Sequence, residues 1–207
     1  MTTDYVRARR HLSRRDPVLR DLMRAHGKCG LADAQNAEPF TALLKAIVSQ
    51  QLSTKAARTI YARLLALFDG VPTPIAMAAA TDAQLRAVGL SGQKLRYMRD
   101  LSARVQDGSL ALHALDGMTD DDVVVALTQV KGIGRWTAEM FLMFRLHRPD
   151  VLPVGDLGIV KAVQKAYGLR KTPTPDRLSQ IGEAWRPYRS VACWYLWRSL
   201  NNTPAAD

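Results

Sequence analysis

Apolar residues in this chain recur at helical spacing, three or four apart, and nowhere alternate over a length that would make a strand. Phe40, Leu43, Leu44, Ile47 and Val48 fall at i, i+3, i+4, i+7 and i+8, which marks one face of a helix for burial. Leu52, Ala56, Ile60, Leu64 and Phe68 predict a second stripe, with the break near residues 50–53 and Ser53 as N-cap. Thr81 with Gln84, and Thr119 with Asp122, carry capping-box spacing. Gly89, Gly92, Gly108 and Gly117 punctuate the middle as helix stops or turns. Residues 171–175 form a loop before a helix starting near Asp176, and Pro187 suits the first turn of a last helix running to about Leu200. The expected fold class is all-α with short connections.

A chain of 207 residues with 47% hydrophobic content can bury a core in one or two small domains. Its 29 Lys+Arg against 19 Asp+Glu, a net charge of +10, favours a polyanionic partner, nucleic acid ahead of membrane. Cys29 and Cys193 are far apart and belong to no CxxC pair. An iron–sulfur cluster or structural zinc takes three or four soft ligands, so neither is expected, and each cysteine is read as a buried thiol. No segment has the apolar core of a signal peptide or the roughly 20 apolar residues of a membrane span. These features predict a soluble, cytoplasmic protein.

The sharpest local signal is Val130-Lys131-Gly132-Ile133-Gly134, between helices expected at 119–129 and 135–146. Two glycines at this spacing let the backbone turn tightly and remove side chains that would obstruct a close approach. N–H groups opening the second helix can then meet a phosphate, aided by the helix dipole. Ile133 can pack inward to anchor the turn. An ordinary helix–turn–helix corner would satisfy GxG equally well; Lys131 and Arg135 are what weigh toward an anion.

Residues 130–138, Val-Lys-Gly-Ile-Gly-Arg-Trp-Thr-Ala, followed by Leu152-Pro153-Val154-Gly155-Asp156 and Ile159, resemble the alkylbase DNA glycosylases, the 3-methyladenine glycosylase II type of the helix–hairpin–helix superfamily. The likeness runs from about Pro39 to Leu200. Lys131 departs from it, since many members have proline there, and with about 36 residues before Ala37 the β-rich domain that some members carry is not expected. The resemblance implies two helical lobes with a DNA-binding cleft between them, one of 37–149 and one of 1–36 with 150–207. It implies DNA contacts at Lys131, Gly132, Gly134 and Arg135. It also implies a sodium or potassium ion on the backbone carbonyls of Thr128, Val130 and Gly132, with no other cofactor required.

Cutting an N-glycosidic bond builds positive charge on the sugar, and a fixed carboxylate stabilises that charge. By the resemblance this is Asp156; from its position alone it reads first as an N-cap for a helix at 157–168, and the two roles are compatible. Members that also nick DNA use a lysine two residues past the second hairpin glycine. Trp136 stands there, which implies hydrolysis without lyase activity. Trp136 and Trp197 match aromatic pocket positions, while Met140 and Arg198 stand where some members have an aromatic. Trp185 and Trp194 are read as core. A flipped base leaves a gap in the helix, and either Gln51 or Leu52 is the expected wedge. Two basic groups remain: Arg7, Arg9, Arg10, Arg14 and Arg15, read as a flexible contact or soluble tail, and Lys94, Arg96 and Arg99, read as DNA-facing or a solvated helix face. The implied function is that of a monomer excising alkylated bases such as 3-methyladenine or 7-methylguanine from damaged duplex DNA. A glycosylase for deaminated or oxidised bases, or a noncatalytic helix–hairpin–helix module, are the alternatives.

Overall fold

The computed structural model describes residues 4–33 and 37–200. Those residues form twelve α-helices and three short 3-10 turns, with no strand among them. In chain order the helices are α1 (Tyr5–Arg15), α2 (Pro17–His26), α3 (Pro39–Ser49), α4 (Thr54–Leu67), α5 (Pro74–Ala79) and α6 (Asp82–Ala87). The rest are α7 (Gly92–Gln106), α8 (Asp120–Thr128), α9 (Arg135–Phe144), α10 (Leu157–Ala166), α11 (Pro175–Gly182) and α12 (Arg189–Ser199). Among the described residues no helix is long and apolar enough to cross a membrane.

Helix starts follow the local chemistry. Ser53, Thr81 and Thr119 each accept a backbone N–H of the first turn through the side-chain oxygen. Thr81 and Gln84 close a full reciprocal capping box. Pro187 differs from expectation: it follows a cis peptide bond, and α12 opens beyond it at Arg189. The second apolar stripe also shifts. Because α4 opens only at Thr54, its buried positions are Ala57 and Leu64, and Leu52 lies outside the helix at 38% exposure. The expected stripe began inside the break at 50–53, ahead of the Ser53 cap, so its first member does not sit on the helix.

The chain divides into two compact units, Ala37–Phe141 and Met1–Asn36 with Leu142–Asp207. The second crossing lies inside α9 and not beyond residue 149. Leu142 and Met143 are buried, and the Leu142 carbonyl accepts the Arg148 N–H at 2.9 Å, which ties the last turn of α9 to the loop after it.

In the 37–141 unit, all five residues of the first stripe on α3 are buried, and α3 packs on α4, α7 and the Leu112–Gly117 turn. α5 and α6 lie on α7. Arg99 of α7 donates to the carbonyls of Met77 at 2.5 Å and Ala78 at 2.7 Å, to that of Ala80, and to Asp82. It therefore satisfies the orphan carbonyls at the end of α5. Lys94 does the same for α3, donating to the Val48 carbonyl at 2.6 Å. Both cations are committed to the fold, which corrects their reading as DNA-facing or solvated residues.

In the other unit α12 is the core. Every residue from Ser190 to Trp197 is buried, so the helix has no solvent face, and α1, α2 and α10 pack around it. Trp185 and Trp194 are core residues as expected. Both cysteines are buried and neither forms a disulfide. The N-terminal arginines do not form a tail: they ride on α1, whose Ala8 and Leu12 are buried, and Asp4 caps its start.

Asp16 joins the ends of this unit's sequence. It caps α2 through the Leu19 N–H at 3.0 Å, and its second oxygen accepts the Tyr167 hydroxyl at 2.5 Å and the Trp185 indole N–H at 2.9 Å. Burial, reinforced by Asp16, raises the Tyr167 phenol far above its ordinary pKa, so it remains a donor. In Asp16→Asn an amide nitrogen replaces one acceptor and leaves buried donors unmatched. The expected cost is about 2–3 kcal/mol, read from the urea unfolding midpoint; an unchanged midpoint would show that the network does not hold the unit together.

Candidate functional site

Two features concentrate chemistry, one in each unit. In the 37–141 unit it is the turn between α8 and α9. Val130 and Ile133 are buried, while Lys131, Gly132, Gly134, Arg135 and Trp136 form an exposed run along the turn. The inward-packed Ile133 thus sits between two outward glycines. Gly132 has a φ of +81°, and a Cβ there would lie 2.1 Å from the Tyr97 ring, so no side chain fits. A Cβ on Gly134 would meet no protein atom within 4 Å. Its smallness keeps the outer face of the turn open.

Three side chains fix the turn. Tyr97 presses on Gly132, the Gln50 amide donates to the Gly132 carbonyl at 2.7 Å, and Asp100 accepts the Lys131 N–H at 2.9 Å. Burial disfavours the Asp100 charge, but the Lys131 N–H and the Arg104 guanidinium outweigh it and hold the carboxyl below the usual range. Arg135 pairs with Glu139 one helical turn on at 3.0 Å, and its side chain is still 68% exposed. The first N–H groups of α9 are at the positive end of its dipole. An exposed turn with Lys131, Arg135 and a helix N-terminus is suited to an anion.

Sequence reasoning passed over Gln50, Tyr97 and Asp100. Attention fell on Gln51, which is exposed in a left-handed conformation with φ 57°, a strained geometry for a non-glycine residue. Leu52 follows it, also exposed. Trp136 is 50% exposed on α9, with Met140 half-buried one turn later.

For a cation, the relevant donors are the carbonyls of Thr128, Val130 and Gly132. Thr128 closes α8, where terminal carbonyls lack an intrahelical partner. The Val130 oxygen accepts the Ile133 N–H at 3.0 Å and the Gly132 oxygen accepts Gln50. A carbonyl has two lone pairs, so accepting one N–H leaves capacity for a hard monovalent ion, and the donor set fits one. Among the described residues, no group of three or more His, Cys, Asp or Glu side chains is placed to hold a metal.

The second feature is Asp156. Backbone bonds from Val154 to Leu152 and from Asp156 to Pro153 fold the preceding loop onto itself. Asp156 then caps α10, accepting the Ile159 N–H on Oδ1 at 2.7 Å. The same oxygen accepts the Trp197 indole N–H at 2.8 Å. The carboxylate is 9% exposed, and two donors on one oxygen fix its plane. Trp197 is only 2% exposed: its nitrogen is engaged with Asp156 and its ring stacks on Phe144 at 6.0 Å. Arg198, its neighbour, is exposed.

Gly158 makes this contact possible. A Cβ there would lie 2.9 Å from Asp156 Oδ1 and 3.0 Å from the Trp197 ring. Nothing in the sequence marked Gly158, since the demand on it comes from a tryptophan on another helix.

A family model described as the HhH-GPD superfamily of base excision DNA repair proteins matches residues 44–187. DNA-3-methyladenine glycosylase 1 of Schizosaccharomyces pombe is 32% identical over 96% of this chain and 89% of its own length. A putative DNA-3-methyladenine glycosylase of Bacillus subtilis is 34% identical over 78% of this chain, which spans only 58% of that relative. The solved structure of an S. pombe 3-methyladenine DNA glycosylase in complex with abasic DNA superimposes with a TM-score of 0.82 at 31% identity, covering 94% of this chain and 97% of that one.

Two outcomes follow from the geometry. The Asp100 carboxyl has a lower pKa folded than unfolded, so its contribution is complete above about pH 4 and is lost as pH falls through the depressed value. Hydrogen-exchange protection of the Lys131 amide should drop on acidification and be low at every pH in Asp100→Ala; wild-type protection in that variant would remove Asp100 as the anchor. Gly158→Ala should cost about 1–3 kcal/mol by overpacking and shift the Trp197 indole N–H resonance. A variant with native stability and an unmoved resonance would show that the crevice is looser than its distances state.

Proposed function

The chain belongs to the HhH-GPD superfamily of base excision DNA repair proteins, and on that premise we propose that it is a monofunctional glycosylase releasing alkylated bases of the 3-methyladenine and 7-methylguanine type from duplex DNA. It acts as a monomer, with its DNA, in the cytoplasm. The observation that carries the reading is the fixed carboxylate of Asp156, with Oδ1 holding two N–H donors.

The hairpin supplies grip. Lys131, Gly132, Gly134 and Arg135 meet the phosphate backbone, which positions the protein without reading sequence. A sodium or potassium ion on the Thr128, Val130 and Gly132 carbonyls would add positive charge facing a phosphate. The damaged nucleotide leaves the stack, because its glycosidic bond is out of reach inside a duplex. Gln51 and Leu52, both exposed, are the side chains available to fill the gap.

In the chemical step the bond between C1′ and the base nitrogen breaks, and its electron pair leaves with the base. A base alkylated at N3 or N7 carries positive charge beforehand, so it departs neutral. Asp156 stabilises the oxocarbenium sugar and orients the water that attacks C1′; that water's proton is lost to the carboxylate or to solvent. The half-exposed Trp136 offers an electron-rich face to a cationic base, worth about 0.5–2 kcal/mol. Indole is not an amine and forms no imine, so water is the nucleophile and an abasic site the product.

Asp156→Asn keeps the cap acceptor and the fold but loses the charge. Base release from methylated duplexes, revealed by alkali, should fall about 10²–10³-fold with DNA binding intact, by analogy with loss of one electrostatic stabiliser. Borohydride should trap no covalent complex. Wild-type release by the variant, or release of only uracil, hypoxanthine or 8-oxoguanine by the native protein, overturns the reading.

A further inference from the structure

Beside the hairpin, within the same unit, is an open groove of about 450 Å³ whose lining includes Arg86, Arg96 and Lys131. Two acids also line it, and both are already matched. Asp82 pairs with Arg99 at 3.1 Å, and Asp100 pairs with Arg104 at 3.0 Å. Arg86 and Arg96 have no carboxylate partner among the described residues. Their guanidinium nitrogens nevertheless converge on Gly92: a Cβ there would lie 3.4 Å from Nη2 of Arg86 and 3.9 Å from Nη1 of Arg96. Gly92 is the first residue of α7, so the positive end of a 15-residue helix borders the same space.

Two guanidinium groups that both reach within 4 Å of one point, with neither paired to a carboxylate, repel each other unless an anion shares them. Lys131 belongs both to this lining and to the exposed face of the turn. A nucleic acid strand carries a phosphate about every 3.4 Å along its axis, so a strand held at the hairpin brings further phosphates alongside. We propose that the Arg86–Arg96 groove is a second phosphate site, holding a backbone phosphodiester of the strand that the hairpin grips. It rests on the DNA-binding reading above and adds to it a contact made by two residues outside the hairpin. Planar guanidinium groups suit this ligand, since each presents parallel N–H donors to two phosphate oxygens.

The test is the salt dependence of binding to a short duplex carrying a stable abasic-site analogue, followed by fluorescence anisotropy between about 50 and 200 mM salt. The double variant R86Q/R96Q should flatten the slope of log affinity against log salt by about 0.9, the loss of one phosphate contact. R20Q/R24Q, which removes the same charge from exposed positions on α2, should keep the native slope. An unchanged slope in R86Q/R96Q, or equal flattening in both doubles, overturns the proposal. Inorganic phosphate at constant ionic strength probes the same chemistry as a free anion. If phosphate binds the native protein but not R86Q/R96Q, and the two share one slope on DNA, the groove serves a free ligand and the proposal fails. Base release is scored separately: a native protein that releases nothing, yet differs in slope from R86Q/R96Q, loses the catalytic reading and keeps the groove.

Discussion

A carboxylate in a nearly closed crevice is held only if its hydrogen bonds are supplied by groups that cannot turn away. Asp156 obtains that from two sources of different kinds, a backbone N–H one turn into α10 and an indole N–H from α12. The first is set by local sequence and the second by tertiary packing. The cap does not compete with the catalytic role proposed for this residue, because the cap bond is part of what holds the carboxylate in place. The crevice works only because Gly158 presents no side chain, so one absent methyl group determines how closely α10 and the Trp197 ring approach.

The hairpin is built on the opposite plan. Its outward face is kept bare, and its support comes from behind, from Gln50, Tyr97 and Asp100. Each supports the backbone of the turn, while the Lys131 and Arg135 side chains stay mostly exposed even though they pair with Asp100 and Glu139. A braced backbone with exposed cations at its edge suits a phosphate, which is recognised by charge and by N–H direction more than by shape.

The sequence made the first stripe, the caps at Ser53, Thr81 and Thr119, and the glycine turn legible, because each is set by contacts within a few residues. Leu52 was misplaced because its stripe began inside the break at 50–53, ahead of the Ser53 cap. The fate of Lys94 and Arg99 was hidden for another reason: a basic residue on a helix face reads as solvated until the carbonyls it caps, 46 and about 20 residues away, are known. α12 shows the limit most clearly. With no polar face it carries no amphipathic signal, and its role as a core helix follows only from what surrounds it. The arginines of α1 misled in the opposite direction, since their density hid the buried Ala8 and Leu12 between them.

The division of the chain also sets an order of assembly. The unit with the hairpin is a continuous run, Ala37–Phe141, whereas its companion is split around it. On a ribosome the inner unit can settle while the chain is still growing, and α1 and α2 must wait, their Asp16 without Tyr167 or Trp185 until those residues emerge. The indole that steadies Asp156 arrives later still. Synthesis therefore completes the unit with the hairpin before the unit with Asp156, and a chain stopped ahead of α12 would carry that carboxylate without the indole N–H that helps to fix it.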